Sequence, residues 1–99
     1  MNSKEEPMNK QLVFITVIGK DQKGIIARIS NAVFAHSINI EDLNQKIMGG
    51  YFVMTMLADM TDSPITIKEL KKELSAIETE MDLKIQVQHE NIFKAMHRV

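Results

Sequence analysis

The chain of 99 residues contains no cysteine and carries almost no excess of charge. Without cysteine it forms no disulfide, thiolate metal site or cysteine nucleophile, and this fits a reducing cytoplasm, where we expect the protein. A formal charge of −1 argues against a nucleic-acid-binding module, which normally concentrates positive charge. No apolar run reaches the roughly 20 residues of a membrane helix. We therefore expect neither nucleic acid nor membrane as a partner.

The rest of the composition is typical of one globular domain, since 44% of the residues are hydrophobic and 25% are charged. Residues 1–10 are polar and lack the apolar stretch of a secretory signal, so we predict a flexible N-terminal tail. Residues 11–88 are predicted to form the domain. Residues 89–99 carry Ile92, Phe93 and Met96 at helical spacing and predict a short C-terminal amphipathic helix.

The first half of the domain alternates between strand and helix patterns. The nearly unbroken apolar run from Leu12 to Ile18 is typical of a central strand. A helix is predicted over residues 24–36, with Asp21 as its N-cap. Its apolar positions recur every three or four residues, at Ile25, Ile26, Ile29, Ala32, Val33 and Phe34.

A second strand is predicted over residues 39–48, and its apolar phase shifts between Ile40 and Leu43, which indicates a bulge. The pair Gly49-Gly50 predicts a two-residue hairpin, because glycine supplies the positive φ of such turns. Residues 51–59 then return as a third strand. Its apolar face comprises Phe52, Met54, Met56 and Ala58.

The sequence pattern in the last part of the domain predicts one more helix and one more strand. The segment Thr61-Asp62-Ser63-Pro64 breaks the chain and offers helix caps. One apolar stripe of a helix follows, formed by Ile67, Leu70, Leu74, Ile77 and Met81. Alternation of apolar and polar residues predicts a fourth strand, with Leu83, Ile85 and Val87 on its apolar side.

The order strand, helix, strand, strand, helix, strand predicts an α+β fold, the ferredoxin-like βαββαβ sandwich. Two helices would cover one face of a four-stranded antiparallel sheet in the spatial order four-one-three-two. The first strand offers apolar residues to both faces of the sheet. The face without helices therefore needs a cover, and a second copy of the chain is the simplest one. We predict a homodimer or a higher homo-oligomer, formed through sheet edges or this open face.

The loop between the first strand and the first helix is the most informative segment for function. It opens at Gly19 and closes at Gly24. A strand that leads through such a loop into a helix leaves backbone N–H groups unpaired, and these suit a carboxylate or a phosphate. No nucleophile-and-base pair accompanies the loop, so we interpret it as a receptor for a small anion-bearing ligand rather than a catalytic site.

This loop resembles the corresponding part of the ACT domain. The resemblance rests on the strand end at Gly19, the loop Lys20-Asp21-Gln22-Lys23-Gly24, the helix start Ile25–Ile29 and the junction Ser37-Ile38-Asn39-Ile40, and it extends over about residues 11–88. The family is a small ferredoxin-like module that binds amino acids and regulates metabolic enzymes. Its ligands lie near the loop after the first strand and the start of the second, often between domains. The resemblance therefore implies a site of Asp21, Gln22, Lys23 and Gly24, with Asn39 across the cleft.

The sequence departs from the family pattern at two positions. Lys23 stands where the family often has proline, and this bears on ligand specificity. Ser37 stands where the family often has glycine, at a position that fits a left-handed helix C-cap. We expect a small backbone strain at Ser37.

Other functions of the same fold lack the residues that they need. An acylphosphatase-type enzyme needs an arginine in the first loop, whereas Arg28 lies a full turn into the helix. A copper-carrying module needs a cysteine pair there, and an RNA-recognition module needs exposed aromatics with basic flanks. The adjacent carboxylates Glu41 and Asp42 would point to opposite faces of a strand. The histidines have no metal-ligand spacing: His36, His89 and His97.

The sequence thus predicts a regulatory domain that binds an amino acid or a similar small metabolite as a homodimer and signals to a metabolic-enzyme partner. We predict no catalytic residues, no cofactor and no metal. The alternative is a dimerisation or protein-interaction module that uses the same surfaces without a small ligand.

Overall fold

The computed structural model describes residues 10–92, so most of the predicted N-terminal tail and most of the predicted C-terminal helix lie outside the described residues. The described end of the chain is helical at residues 90–92. Six elements precede it: β1 (Leu12–Lys20), α1 (Ile25–Phe34), β2 (Asn39–Met48), β3 (Tyr51–Asp59), α2 (Ile67–Met81) and β4 (Leu83–His89). No helix of the described part is long and apolar enough to cross a membrane.

The four strands form one antiparallel sheet in the order β2-β3-β1-β4. This confirms the ferredoxin-like fold and its predicted strand order. β1 pairs Lys20 with Tyr51 at one end of the sheet and Leu12 with Asp59 at the other end. The β1–α1 loop and the β2–β3 hairpin therefore share an end of the sheet.

Both helices pack on one face of the sheet, as the order of the elements predicted. Alternate residues of the central strands β1 and β3 point into the core and are almost fully buried, and so are the inward residues of the helices. The core members of the two strands are Val13, Ile15, Val17, Phe52, Met54, Met56 and Ala58, and those of the helices are Ile25, Ile29, Val33, Leu70, Leu74 and Ile77. The opposite face carries the partly exposed Ile18 and Val53. No helix between Leu12 and His89 covers that face.

The predicted hairpin and bulge are both confirmed. Gly49 and Gly50 have φ values of +58° and +85°, which only glycine adopts readily. The pairing of β2 with β3 shifts between Ile40 and Asp42, so Glu41 is the extra residue of a bulge. These two features fix which face each side chain of β2 occupies.

The helix boundaries differ from the prediction. Helix α1 begins at Ile25 and ends at Phe34 instead of spanning residues 24–36, and Phe34 is 78% exposed rather than part of the apolar face. Helix α2 is capped by Thr66, not by the segment 61–64, because the Thr66 hydroxyl accepts from the Glu69 N–H and the Glu69 carboxylate accepts from the Thr66 N–H. This reciprocal capping box satisfies two amides that would otherwise lack partners.

Ser37 has a φ of +57°, which confirms the left-handed conformation that the family comparison predicted there. A side chain in this region costs about 1–2 kcal/mol. The substitution Ser37→Gly is therefore expected to raise the free energy of unfolding by about 1 kcal/mol, after the greater chain entropy of glycine is subtracted. Urea denaturation measures this. The control Ser30→Gly, inside α1, is expected to lower the free energy of unfolding; a loss for both variants would contradict strain at Ser37.

Candidate functional site

The loop between β1 and α1 is anchored at two places. The Asp21 N–H donates to the Gly50 carbonyl of the hairpin over 3.0 Å. The Gln22 side chain donates from Nε2 to the Met81 carbonyl at the end of α2 over 2.9 Å. Two of the predicted site residues thus hold the loop against the rest of the fold, which keeps the start of α1 in a defined position.

Gly19 precedes this loop, and the close approach of β4 explains why it has no side chain. A Cβ at Gly19 would lie 2.5 Å from Cδ2 of Leu83 and 3.3 Å from the Asp82 carbonyl oxygen. Packing between strands, rather than a ligand, therefore accounts for this glycine.

Gly24 is the N-cap that directly precedes α1, and its φ is +86°. The prediction that Asp21 caps the helix is wrong, because three loop residues separate Asp21 from the first residue of the helix. Among residues 10–92, no side chain accepts a hydrogen bond from the N–H groups at this end of α1. A Cβ on Gly24 would meet no atom within 4 Å, so its left-handed backbone, rather than a lack of space, favours glycine. No side-chain cap competes for the amides of the first turn, which suits them to an anion.

An open cavity of about 520 Å³ lies in front of this first turn. One wall comes from the loop and α1, through Gly24, Ile25, Ile26 and Ala27 together with Asp21 and Gln22. The other wall comes from the ends of β2 and β3, through Gln45, Ile47 and Phe52. Pockets of a few hundred cubic ångströms with apolar walls and a few polar groups are typical of small-ligand sites. We call this space the loop cavity.

The loop cavity includes three of the predicted residues, Asp21, Gln22 and Gly24, while Lys23 is exposed and does not line it. The sequence reasoning missed the wall formed by Gln45, Ile47 and Phe52. The available signal was the hairpin at Gly49-Gly50, which returns these residues to the end of the sheet where the loop lies.

Within one chain, Asn39 does not lie beside the loop, so a single molecule does not bring all five predicted site residues together. Asn39 pairs with Asp59 at the far end of the sheet, and β2 extends for ten residues, or about 30 Å, before it reaches the loop. There the Asn39 side chain donates to the Glu41 carboxylate over 3.2 Å. It also borders a second cavity of about 380 Å³ with Phe34, Ser37, Ile38 and Ile40.

Two side-chain pairs lie at the surface of the helices. Arg28 pairs with Glu80 and so joins α1 to α2 near the loop. His36 Nε2 lies 3.0 Å from a Glu73 carboxylate oxygen at the other end of α1. Within residues 10–92 no group of three or more potential ligand side chains could hold a metal ion.

The adjacent carboxylates of β2 do not act as a pair. Glu41, the bulge residue, accepts from Asn39 and lies 3.7 Å from the Lys10 ammonium. Asp42 accepts from the N–H of Leu43 over 2.8 Å. Each carboxylate has its own partner, and this arrangement gives no shared proton for acid–base chemistry.

The pKa of Asp59, beside Asn39, is lowered. Burial alone would raise it, but hydrogen bonds from the side chain and backbone of Thr61 and the charge of Lys10 together outweigh burial. The ionised carboxylate is thus part of the turn that follows β3, at the end of the sheet opposite the loop cavity.

A family model described as the ACT domain matches residues 11–88. A UPF0237 protein of Methanopyrus kandleri is 40% identical over 85 residues, which cover 86% of this chain and 94% of the relative. Among solved structures, an ACT domain protein from Streptococcus pneumoniae is 32% identical, with a TM-score of 0.76 over 90% of this chain and all of that chain. A putative glycine cleavage system transcriptional repressor is 26% identical, with a TM-score of 0.72 over 81% of this chain and 46% of that one.

Proposed function

This chain belongs to the ACT domain family, whose members are regulatory, ligand-binding domains, and on that basis we propose that it binds an amino acid or a similar small metabolite in the loop cavity. We further propose that it acts in the cytoplasm as a homodimer and transmits ligand binding to a metabolic-enzyme partner. The observation that carries the ligand proposal is the uncapped first turn of α1 at Gly24, which faces a cavity with apolar walls.

The loop cavity offers a separate group for each part of an amino acid. The first-turn amides after Gly24 would accept the carboxylate, because they lack a side-chain cap and lie at the positive end of the helix dipole. The Asp21 carboxylate would accept the ammonium group. Ile47 and Phe52 would contact an apolar side chain. The likeness to a putative glycine cleavage system repressor supports an amino-acid-linked role.

Regulation would follow from linkage. A ligand that binds one arrangement of the dimer more tightly shifts the protein toward that arrangement. If a partner also prefers one arrangement, the ligand changes the affinity for the partner, and the partner changes the affinity for the ligand by the same factor. The anchors of the loop support this route, since Asp21 connects it to the hairpin and Gln22 connects it to the end of α2. A change at the loop would therefore reach both elements.

A thermal-shift screen of the purified protein against the common amino acids tests the proposal. At about 100 times its Kd, a ligand adds about 2.7 kcal/mol to the free energy of unfolding, which raises the Tm of a domain of this size by roughly 10 °C or more. The matched chemical control is the amine that lacks only the carboxylate, and it should give no shift. A flat panel with a stable dimer would instead support the interaction module without a ligand.

A further inference from the structure

The face of the sheet without helices carries two separate apolar rows. At the end away from the loop cavity, Phe14 of β1 lies opposite Leu57 of β3, and both are half-buried. We call this pair the far row. At the loop end, Ile18 lies opposite Val53, and we call this pair the near row. A pair of threonines separates the two rows. Apolar patches on a sheet face call for a cover or a partner.

Burial along this face increases toward the far row. Ile18 is 50% exposed, whereas Phe14 on the same strand is half-buried. On β4, Lys84 and Gln86 are exposed, but Gln88, which lies opposite Phe14, is half-buried. Because α1 and α2 pack on the other face, they do not account for this difference.

The chain leaves the sheet beside the far row. β4 ends at His89, opposite Val13, and the chain is helical at residues 90–92. Residues 93–99 of the sequence lie outside the described residues. A helix over residues 90–99 would be about 15 Å long, and three spacings between neighbouring strands add up to about the same length. The segment is therefore long enough to reach from β4 across β1 and β3 to β2.

The sequence of this segment has one apolar side. At 100° per residue, its apolar positions fall within about 120° of one another around a helix, and they are Ile92, Phe93, Met96 and Val99. Lys94 and Arg98 fall on the opposite side. Ile92, the described member of the apolar side, is 44% exposed. An apolar stripe of this width is typical of a helix that packs on one surface.

Charge favours the same surface. Asp42 of β2 continues the far row beyond Leu57 and is exposed. Glu41 and Asp59 lie at the same end of the sheet, where the Lys10 ammonium lies 3.7 Å from the Glu41 carboxylate. A segment with basic side chains therefore matches this end of the sheet better than an acidic one would.

We propose that residues 90–99 continue as a helix across the far row, so that the chain's own C-terminal segment covers this end of the open face. A helix is about 10 Å wide, and successive rows on one face lie about 6.8 Å apart. One helix therefore covers Phe14 and Leu57 and leaves the near row open. A second copy that stacked on this end of the face would have to displace the segment. The proposal concerns the face opposite α1 and α2 and does not depend on a ligand.

The absence of natural cysteine lets single thiols report the cover. Leu57→Cys places a thiol in the far row, and Val53→Cys places one in the near row of the same strand. Met96→Asp puts a carboxylate on the apolar side of the segment, which should lift it from the sheet. Maleimide is then expected to label the thiol of Leu57→Cys about tenfold faster or more, while the rate for Val53→Cys stays within about twofold.

Asn91→Asp is the matched control, because it adds the same charge on the polar side of the segment and is expected to leave both labelling rates unchanged. Labelling at two protein concentrations identifies the occupant. A cover from the same chain gives one rate at both concentrations, whereas a second copy on this face gives a faster rate on dilution.

Three results overturn the proposal. The first is a labelling rate for Leu57→Cys that Met96→Asp leaves unchanged. The second is a rate that increases on dilution, which would identify a second copy as the cover. The third is an equal increase at Leu57→Cys and Val53→Cys, because the segment would then support the whole sheet instead of covering the far row.

Discussion

Truncation of Ile15 to alanine is expected to lower the free energy of unfolding by about 2–5 kcal/mol. Ile15 is fully buried at the centre of β1, opposite Met56 on one neighbouring strand and Val87 on the other. Strands on both sides hold the backbone, so the structure cannot close around the lost methyl groups, and a cavity remains. Urea denaturation measures this loss.

The matched control is Ile18→Ala, which makes the same chemical change three residues later on the same strand. Ile18 points to the opposite face and is 50% exposed, so its truncation is expected to cost less than about 1 kcal/mol. The comparison also tests the second face of the sheet. A loss at Ile18 as large as the loss at Ile15 would show that another surface buries that face, as in the face-to-face dimer that the sequence also allowed.

The second large effect is expected at the start of α1, where Ala27→Glu should weaken amino-acid binding at least about tenfold. Ala27 is exposed, lines the loop cavity and occupies the third position of the helix. A carboxylate there would compete for the first-turn amides and repel the carboxylate of a ligand. The same negative charge interacts favourably with the helix dipole, and this is expected to raise the free energy of unfolding by about 0.3–1 kcal/mol. Binding and stability should therefore change in opposite directions, which a merely misfolded variant cannot produce.

Asn31→Glu is the control, because it places the same charge one turn further along α1 and outside the loop cavity. Calorimetric titration with an amino acid that passes the thermal-shift screen compares the variants. Retained binding by Ala27→Glu would place the ligand elsewhere. Equal loss in both variants would point to a long-range charge effect instead of a local site.

Local patterns in the sequence were sufficient to predict the order and pairing of the elements. The pair Gly49-Gly50 predicted the hairpin, and the phase shift after Ile40 predicted the bulge. The order of the strands in the sheet followed from the order of the elements along the chain. Even the positive φ of Ser37 was predictable, because the family often has glycine at this position. These features depend on residues that are close together in the chain, so periodicity and turn chemistry reveal them.

The errors arose where distant segments decide the outcome. The position of Asp21 just before the helix pattern predicted a helix cap. In the structure its backbone N–H donates to the carbonyl of Gly50 in the hairpin, and the helix starts only at Ile25. Phe34 fits the apolar spacing of α1, yet it points away from the core at the last turn. Asn39 follows the helix closely in sequence and still lies a whole strand length from the loop.

By itself the sequence determined the ferredoxin-like fold, the buried faces of β3 and β4 and the Gly49-Gly50 hairpin, because these follow from the spacing of apolar residues and the φ angles that turns require. Only the tertiary structure decided that Ile47 and Phe52 form a wall of the loop cavity, and that Asn39 lies at the opposite end of its own sheet. The physical reason is that the register between strands decides which residues of distant segments lie side by side. A sequence pattern gives the period of a strand but not its position beside a neighbouring strand.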